Sequence, residues 1–262
     1  MFPCPQEYWD AKTSDAWKML IGPANIPPST FYIHALNTCL LPSDVSSPQR
    51  VDDFGRILLL YALHTHIFEW RQAISMLNPN GFANMYGSVI VDIGEGLQER
   101  KDWLICSLNN WHKCYYSACT NPTIVLMYHL GFISLDVSLS DLHLAAGRSG
   151  NRAEGELAEQ SLRSWANSEG AAITMSHVRQ SFEVAYSVLE SGDVLKGSFE
   201  IIMSLFTGGL VSWAYLKFRR GDPQDFSLDY VRSASVALRG LASWRISSLF
   251  GAILRDFETT SN

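Results

Sequence analysis

The C-terminal third of the chain repeats apolar residues at alternating four- and three-residue steps: Ala171, Met175, Val178, Phe182, Ala185 and Leu189. At 3.6 residues per turn this spacing lays all of them on one helix face. A second stripe follows Ser191-Gly192-Asp193: Leu195, Phe199, Ile202, Phe206 and Trp213. Two amphipathic helices joined by so short a turn are antiparallel neighbours. Nowhere does apolar and polar character alternate for more than about five residues, so strands carry no signal. The pattern dictates an all-α, multi-helix bundle.

The rest of the chain reads the same way. Residues 1–50 hold seven of the ten prolines. This Pro-rich N-terminal segment has short helical patterns around Asp10–Leu20 and Ser29–Leu40, then a loop over Ser43–Gln49. From Val51 a helix shows Ile57, Leu60, Tyr61, His64, Ile67, Phe68, Arg71 and Ile74 as its apolar face. Leu77-Asn78-Pro79-Asn80-Gly81 ends it, and residues 80–96 read as a Gly-rich loop. Leu97–Ala118 returns to helix. Asn121-Pro122 is a helix start, because Asn accepts from a free backbone N–H and Pro lacks the N–H that would go unpaired. Ser138 or Ser140 caps a short helix ending at Gly147. Arg148–Glu156 reads as an exposed loop. The whole, 1–262, is expected to form a single helical domain with segment 1–50 packed on it.

Ile201–Leu216 is free of charge for 16 residues, against the roughly 20 that span a bilayer. The expectation is a buried core helix and no membrane association, with Phe206 in the core.

Charge and cysteine usage exclude several function classes. The formal net charge is −6, and the densest basic patch is Lys217-Phe218-Arg219-Arg220. A dedicated DNA surface needs clustered cations, so direct DNA binding is not expected. The five cysteines are an odd number, and no Asn-x-Ser/Thr sequon occurs, which argues against a disulfide-stapled secreted scaffold.

No chemistry nominates itself. A zinc site wants Cys or His pairs at turn or helix spacing. Cys106, Cys114 and Cys119 lack it, and the pairs His112/Cys114 and His64/His66 are two apart, on different helix faces. There is no Gly-x-Ser-x-Gly elbow, His-Glu-x-x-His or phosphate loop. Gly94-Glu95-Gly96 reads as a turn. His129 and His177 lie on apolar helix faces and read as hydrogen-bonded core residues. No catalytic residue, cofactor-binding residue or metal ligand is assigned. The eight Trp are spread over nearly every helix, as a Trp-rich core would have them.

Several stretches together resemble the regulatory region of fungal zinc-finger transcription factors, the fungal-specific transcription factor domain or middle homology region. The first is Pro3-Cys4-Pro5-Gln6-Glu7-Tyr8-Trp9-Asp10-Ala11 with Trp17. The second runs from Tyr128-His129-Leu130 through Ser134-Leu135-Asp136-Val137-Ser138-Leu139-Ser140-Asp141-Leu142 to Ala145-Ala146-Gly147. The third is Trp165 with Ala171-Ala172 and His177, where Val178 replaces the family's Ala. The tail around Trp213-Tyr215, Leu241-Trp244 and Leu254 matches loosely. The match resembles the later half of that region, and members carrying two-Cys two-His fingers more than those with the six-cysteine cluster.

The resemblance implies transcription regulation in the nucleus through protein partners or a small effector, without catalysis. The zinc DNA-binding module and the front half of the region are expected but missing, so the chain reads as truncated. An apolar surface near Trp9, Trp17, Phe31 and the Leu60/Phe68 helix is then expected, and with it self-association. An uncharacterised helical enzyme and a membrane-associated protein are the alternatives.

Overall fold

The computed structural model describes residues 6–24, 31–41, 51–76, 90–119, 121–148, 150–192, 199–221, 228–241 and 244–260. The loop expected at Ser43–Gln49, the helix stop at Leu77–Gly81 and Leu195 lie outside them. Among the described residues there are twelve α-helices and no strand, so the chain is all-α. They fall into two compact units, Met1–Ile124 and Val125–Asn262.

The first unit holds α1 (Gln6–Trp9), α2 (Ser14–Ile21), α3 (Tyr32–Leu40), α4 (Asp53–Met76) and α5 (Ile90–Tyr115). Thr13 caps α2 by accepting from the Ala16 N–H, and Gly22, at φ 67°, ends it. Its core joins Ala35, Leu36 and Cys39 of α3, Leu59, Leu60, Leu63, Ile67 and Trp70 of α4, and Leu104, Leu108 and Trp111 of α5. Three side chains pin the helix ends. Trp70 Nε1 donates to the Leu97 carbonyl at 2.8 Å, Trp103 Nε1 to that of Leu40 at 2.8 Å, and Asn110 Nδ2 to that of Cys39 at 3.3 Å.

Three expectations are corrected. The buried face of α4 is Leu59, Leu60, Leu63, Ile67 and Trp70, whereas Tyr61 and Phe68 are exposed. This helix is apolar on two sides, and the spacing alone does not say which side faces inward. Residues 90–96 belong to α5, so Gly94-Glu95-Gly96 is helical backbone and not a turn. Arg148–Glu156 is only partly loop: Asn151 caps a helix from Arg152 by accepting from the Ala153 N–H at 3.1 Å.

The second unit is α6 (Pro122–Asp136, the helix in which the units divide), α7 (Leu139–Ala145), α8 (Arg152–Ala166), α9 (Gly170–Glu190), α10 (Phe199–Phe218), α11 (Leu228–Gly240) and α12 (Arg245–Thr260). As the sequence requires, Asn121 accepts from the Thr123 N–H at 3.0 Å and Ser138 from that of Asp141 at 3.2 Å, starting α6 and α7.

Helix α10 is the core. Nearly every residue from Ile201 to Tyr215 is buried, against α7, α8, α9, α11 and α12. It is long and apolar enough to cross a membrane, but 78% of that stretch is buried inside the fold. Two glycines permit this crowding. A Cβ at Gly208 would lie 2.8 Å from the Phe182 ring, and one at Gly209 would lie 2.5 Å from Leu254. Helices α9 and α10 are antiparallel: Gly208, midway along α10, packs on Val178 and Phe182 of α9, and the turn between α8 and α9 meets the end of α10 through Asn167, which donates to the Phe218 carbonyl at 3.0 Å and accepts from the Arg220 N–H at 2.9 Å. Helices α11 and α12 are antiparallel too, tied by Ser235 to Gly251 at 2.8 Å and by Arg232 to Glu258 at 2.6 Å.

Candidate functional site

Of the stretches singled out in the sequence, the second, the third and the described part of the tail lie in the second unit, whereas the first belongs to the first unit and its Pro3–Pro5 lie outside the described residues. Helices α6 and α7 carry the Tyr128–Gly147 run and bend by 73° where they meet. Asp136, at the end of α6, accepts from Thr174 Oγ1 at 3.0 Å. A Cβ at Gly170 would lie 2.8 Å from the same carboxylate, so the absence of a side chain lets Asp136 approach the start of α9. A carboxylate there suits the positive end of a helix. Asp141 accepts from Ser161 Oγ at 2.7 Å and ties α7 to α8.

Two histidines 48 residues apart meet on this scaffold. His129 of α6 is buried, and its Nδ1 lies 2.9 Å from Nδ1 of His177 on α9. One ring must donate and the other accept, so the two hold opposite tautomers at Nδ1. Phe132 stacks on His177 at 4.3 Å, and Tyr128 packs edge-on against both imidazoles. Burial pushes the His177 pKa down to about 4, although Asp136 acts in the opposite direction. The His177 ring is therefore a poor proton acceptor, and the contact between the two rings is in keeping with the hydrogen-bonded role expected of them. Among the described residues no group of three or more His, Cys, Asp or Glu is placed to hold a metal ion.

A cleft of about 600 Å³ opens at the end of α7. Ala145, Ala146 and Gly147 form one wall; Trp213, Leu216 and Lys217 of α10, Leu228 of α11 and Phe257 of α12 form the other. Trp213 and Phe257 stack at 4.4 Å, which gives the cleft an aromatic floor. Gly147 has φ 87°, a left-handed conformation that a side chain would strain. A second hollow of about 390 Å³ lies on the other side of Ala145 and Gly147, against Asn151, Arg152 and Glu159. The ion pair of Lys217 and Glu159, at 2.7 Å, stands between the two. Lys217 also sits over the Trp213 ring at 5.0 Å. The basic patch is thus engaged within the fold, since Arg219 lies over Tyr215 at 5.0 Å.

Among the described residues Cys39, Cys106, Cys114 and Cys119 are free thiols. Burial pushes Cys39 up to about 12 and raises Cys114 and Cys119. At neutral pH Cys39, Cys114 and Cys119 are protonated and poorly nucleophilic.

The sequence reading assigned no site residue and missed the cleft. Its pieces come from α7, α10, α11 and α12, and no local spacing joins them. A usable signal was Gly147, which follows the end of α7 in a left-handed conformation and lines the cleft. No protein-family model, curated protein or solved structure matches the chain.

Proposed function

We propose that this chain is a helical regulatory domain acting in transcription, and that the cleft at the end of α7 is where an effector or a partner side chain is read. One observation carries the reading: Ala145-Ala146-Gly147 and Trp213, residues on which the resemblance to the fungal regulatory region rests, line the same cleft. Its volume lies within the roughly 300–1,000 Å³ of small-molecule sites; apolar side chains and the Lys217 cation line it, and more of its open surface is polar than apolar. The occupant is an apolar body with an acidic group that competes with Glu159 for Lys217. The reading puts the chain in the nucleus, acting without catalysis, cofactor, membrane insertion or direct DNA contact.

The test is a fusion of the chain to a heterologous DNA-binding domain, read on activation and repression reporters. Transcription is expected to shift relative to the DNA-binding domain alone. Ala146→Phe, which fills the cleft from a half-buried position, is expected to abolish that shift at an unchanged melting midpoint. A fusion indistinguishable from the DNA-binding domain alone on both reporters would refute the reading.

A further inference from the structure

One ion pair stands where two hollows meet. Lys217 of α10 lines the larger cleft and Glu159 of α8 the smaller hollow, and both spaces share Ala145 and Gly147. Lys217 Nζ lies 2.7 Å from Glu159 Oε1, and the two side chains are 39% and 34% exposed. A pair this open to water is worth little, so a ligand can part it. The Lys217 ammonium rides on a flexible four-carbon stem, which moves without its helix.

Charge decides what can enter. Glu156, three residues before Glu159 and in the same hollow, is paired with Arg152 at 2.8 Å. An anion that takes Lys217 leaves the Glu159 carboxylate without its cation, close to a second carboxylate. A cation that takes Glu159 leaves Lys217 without its anion. An occupant with one group of each sign keeps both partnered: its carboxylate meets Lys217, its ammonium meets Glu159, and the net charge of the site is unchanged. An α-amino acid carries these two groups on a single carbon, and its side chain is left for the cleft.

The cleft defines that side chain. Next to Lys217 lie the rings of Trp213 and Phe257, stacked at 4.4 Å, with Leu216 and Leu228 beside them. An aromatic ring packs on such a floor offset or edge-on, and a cleft of about 600 Å³ admits one. More of the open surface is polar than apolar, which suits an occupant with a charged head.

Given the cleft as an effector site, we propose that it takes a free α-amino acid with a large apolar side chain, its carboxylate on Lys217 and its ammonium on Glu159.

Nuclear magnetic resonance titration of the full chain, followed at the Trp213 indole N–H signal, tests it with three probes. These are L-phenylalanine, 3-phenylpropionate, which lacks the ammonium, and phenethylamine, which lacks the carboxylate. L-Phenylalanine is expected to shift the signal saturably, with a Kd at least about fivefold below that of either analogue. Glu159→Gln removes the advantage over 3-phenylpropionate, and Lys217→Gln the advantage over phenethylamine, while helicity and melting midpoint stay those of the parent. Glu183→Gln, exposed on α9, changes neither. Advantages that survive both cleft substitutions would overturn the proposal. So would 3-phenylpropionate binding as tightly as L-phenylalanine, a result that leaves the effector cleft itself standing. No movement of the Trp213 signal with any probe up to about 10 mM would overturn it too, and the reporter fusion then decides the regulatory role by itself.

Discussion

The two units bury their helices differently. In the second, α10 is surrounded: α7, α8, α9, α11 and α12 all pack on it, and its two central glycines let Phe182 and Leu254 reach the backbone. In the first, α4 has one face in the core and another in solvent. Among the described residues eleven large exposed hydrophobics belong to the first unit and seven to the second. The imbalance means that the first unit leaves apolar helix faces open, whereas the second uses them internally. Trp9, Trp17 and Phe31 are exposed, as the sequence led one to expect; of the Leu60/Phe68 helix, Phe68 is exposed and Leu60 is fully buried. A helix apolar on all sides and one apolar on two sides look alike in composition, and they differ in what they do with the second side.

The largest expected effect is at the centre of the second unit. Phe206 is buried and stacks on Phe250 at 3.9 Å. Phe206→Asp places an unpaired carboxylate there and is expected to cost about 4 kcal/mol or more. Chemical denaturation would show a lost or greatly lowered midpoint; an unchanged one would mean that α10 is not the core. By contrast, Phe68→Asp in α4 is expected to leave stability within about 0.5 kcal/mol, as for surface substitutions generally.

Glycine substitution sharpens the comparison. A Cβ at Gly251 would lie 2.9 Å from the Ser235 carbonyl oxygen and 3.1 Å from the Arg239 nitrogen, backbone atoms that cannot swing aside. Gly251→Ala is expected to destabilise by about 1–3 kcal/mol despite its better helix propensity. Nothing lies within 4 Å of a Cβ at Gly96 in α5, and Gly96→Ala is expected to stabilise by up to about 1 kcal/mol. Equal shifts of thermal midpoint in the two variants would contradict the difference in packing.

Acid sensitivity is expected to arise in the second unit. The His177 pKa is depressed to about 4 in the fold, below its ordinary value of 6.5. The unfolded chain therefore takes up a proton first, and stability falls as pH drops from about 6.5 towards 4. Above that window the contribution is fully present. His177→Phe removes the titrating ring and strands the His129 Nδ1, so it is expected to cost about 1–3 kcal/mol at pH 8 while flattening the slope below pH 6.5. Denaturant midpoints of both proteins across pH 4–8 would check it, and parallel slopes would count against it.

Much of the fold was legible because its signals are local. The stripe from Ala171 to Leu189 is one-sided, and Asn121, Ser138 and Gly147 act on their own neighbours. Helix α8 was less so, because Gly, Asn and charge over Arg148–Glu156 imitate a loop. The Asn151 cap and the Arg152–Glu156 pair at 2.8 Å, four residues apart, are the features that sequence reading had available there. The register of α4 was misread because two apolar faces cancel in any single-face measure. The His129–His177 contact and the cleft were not legible at all. Each depends on helices distant in sequence being brought together, and such pairing is a property of packing rather than spacing.

The central claim is that α10 is enclosed within the second unit while α4 is open on one side. Hydrogen exchange, resolved by segment, tests this most directly. Amides buried among many apolar contacts open only with global unfolding, and those of half-exposed helices open sooner. The slowest exchange in the chain is predicted over residues 201–215, with α4 exchanging measurably faster. Exchange over 201–215 as fast as, or faster than, that of α4 would contradict it.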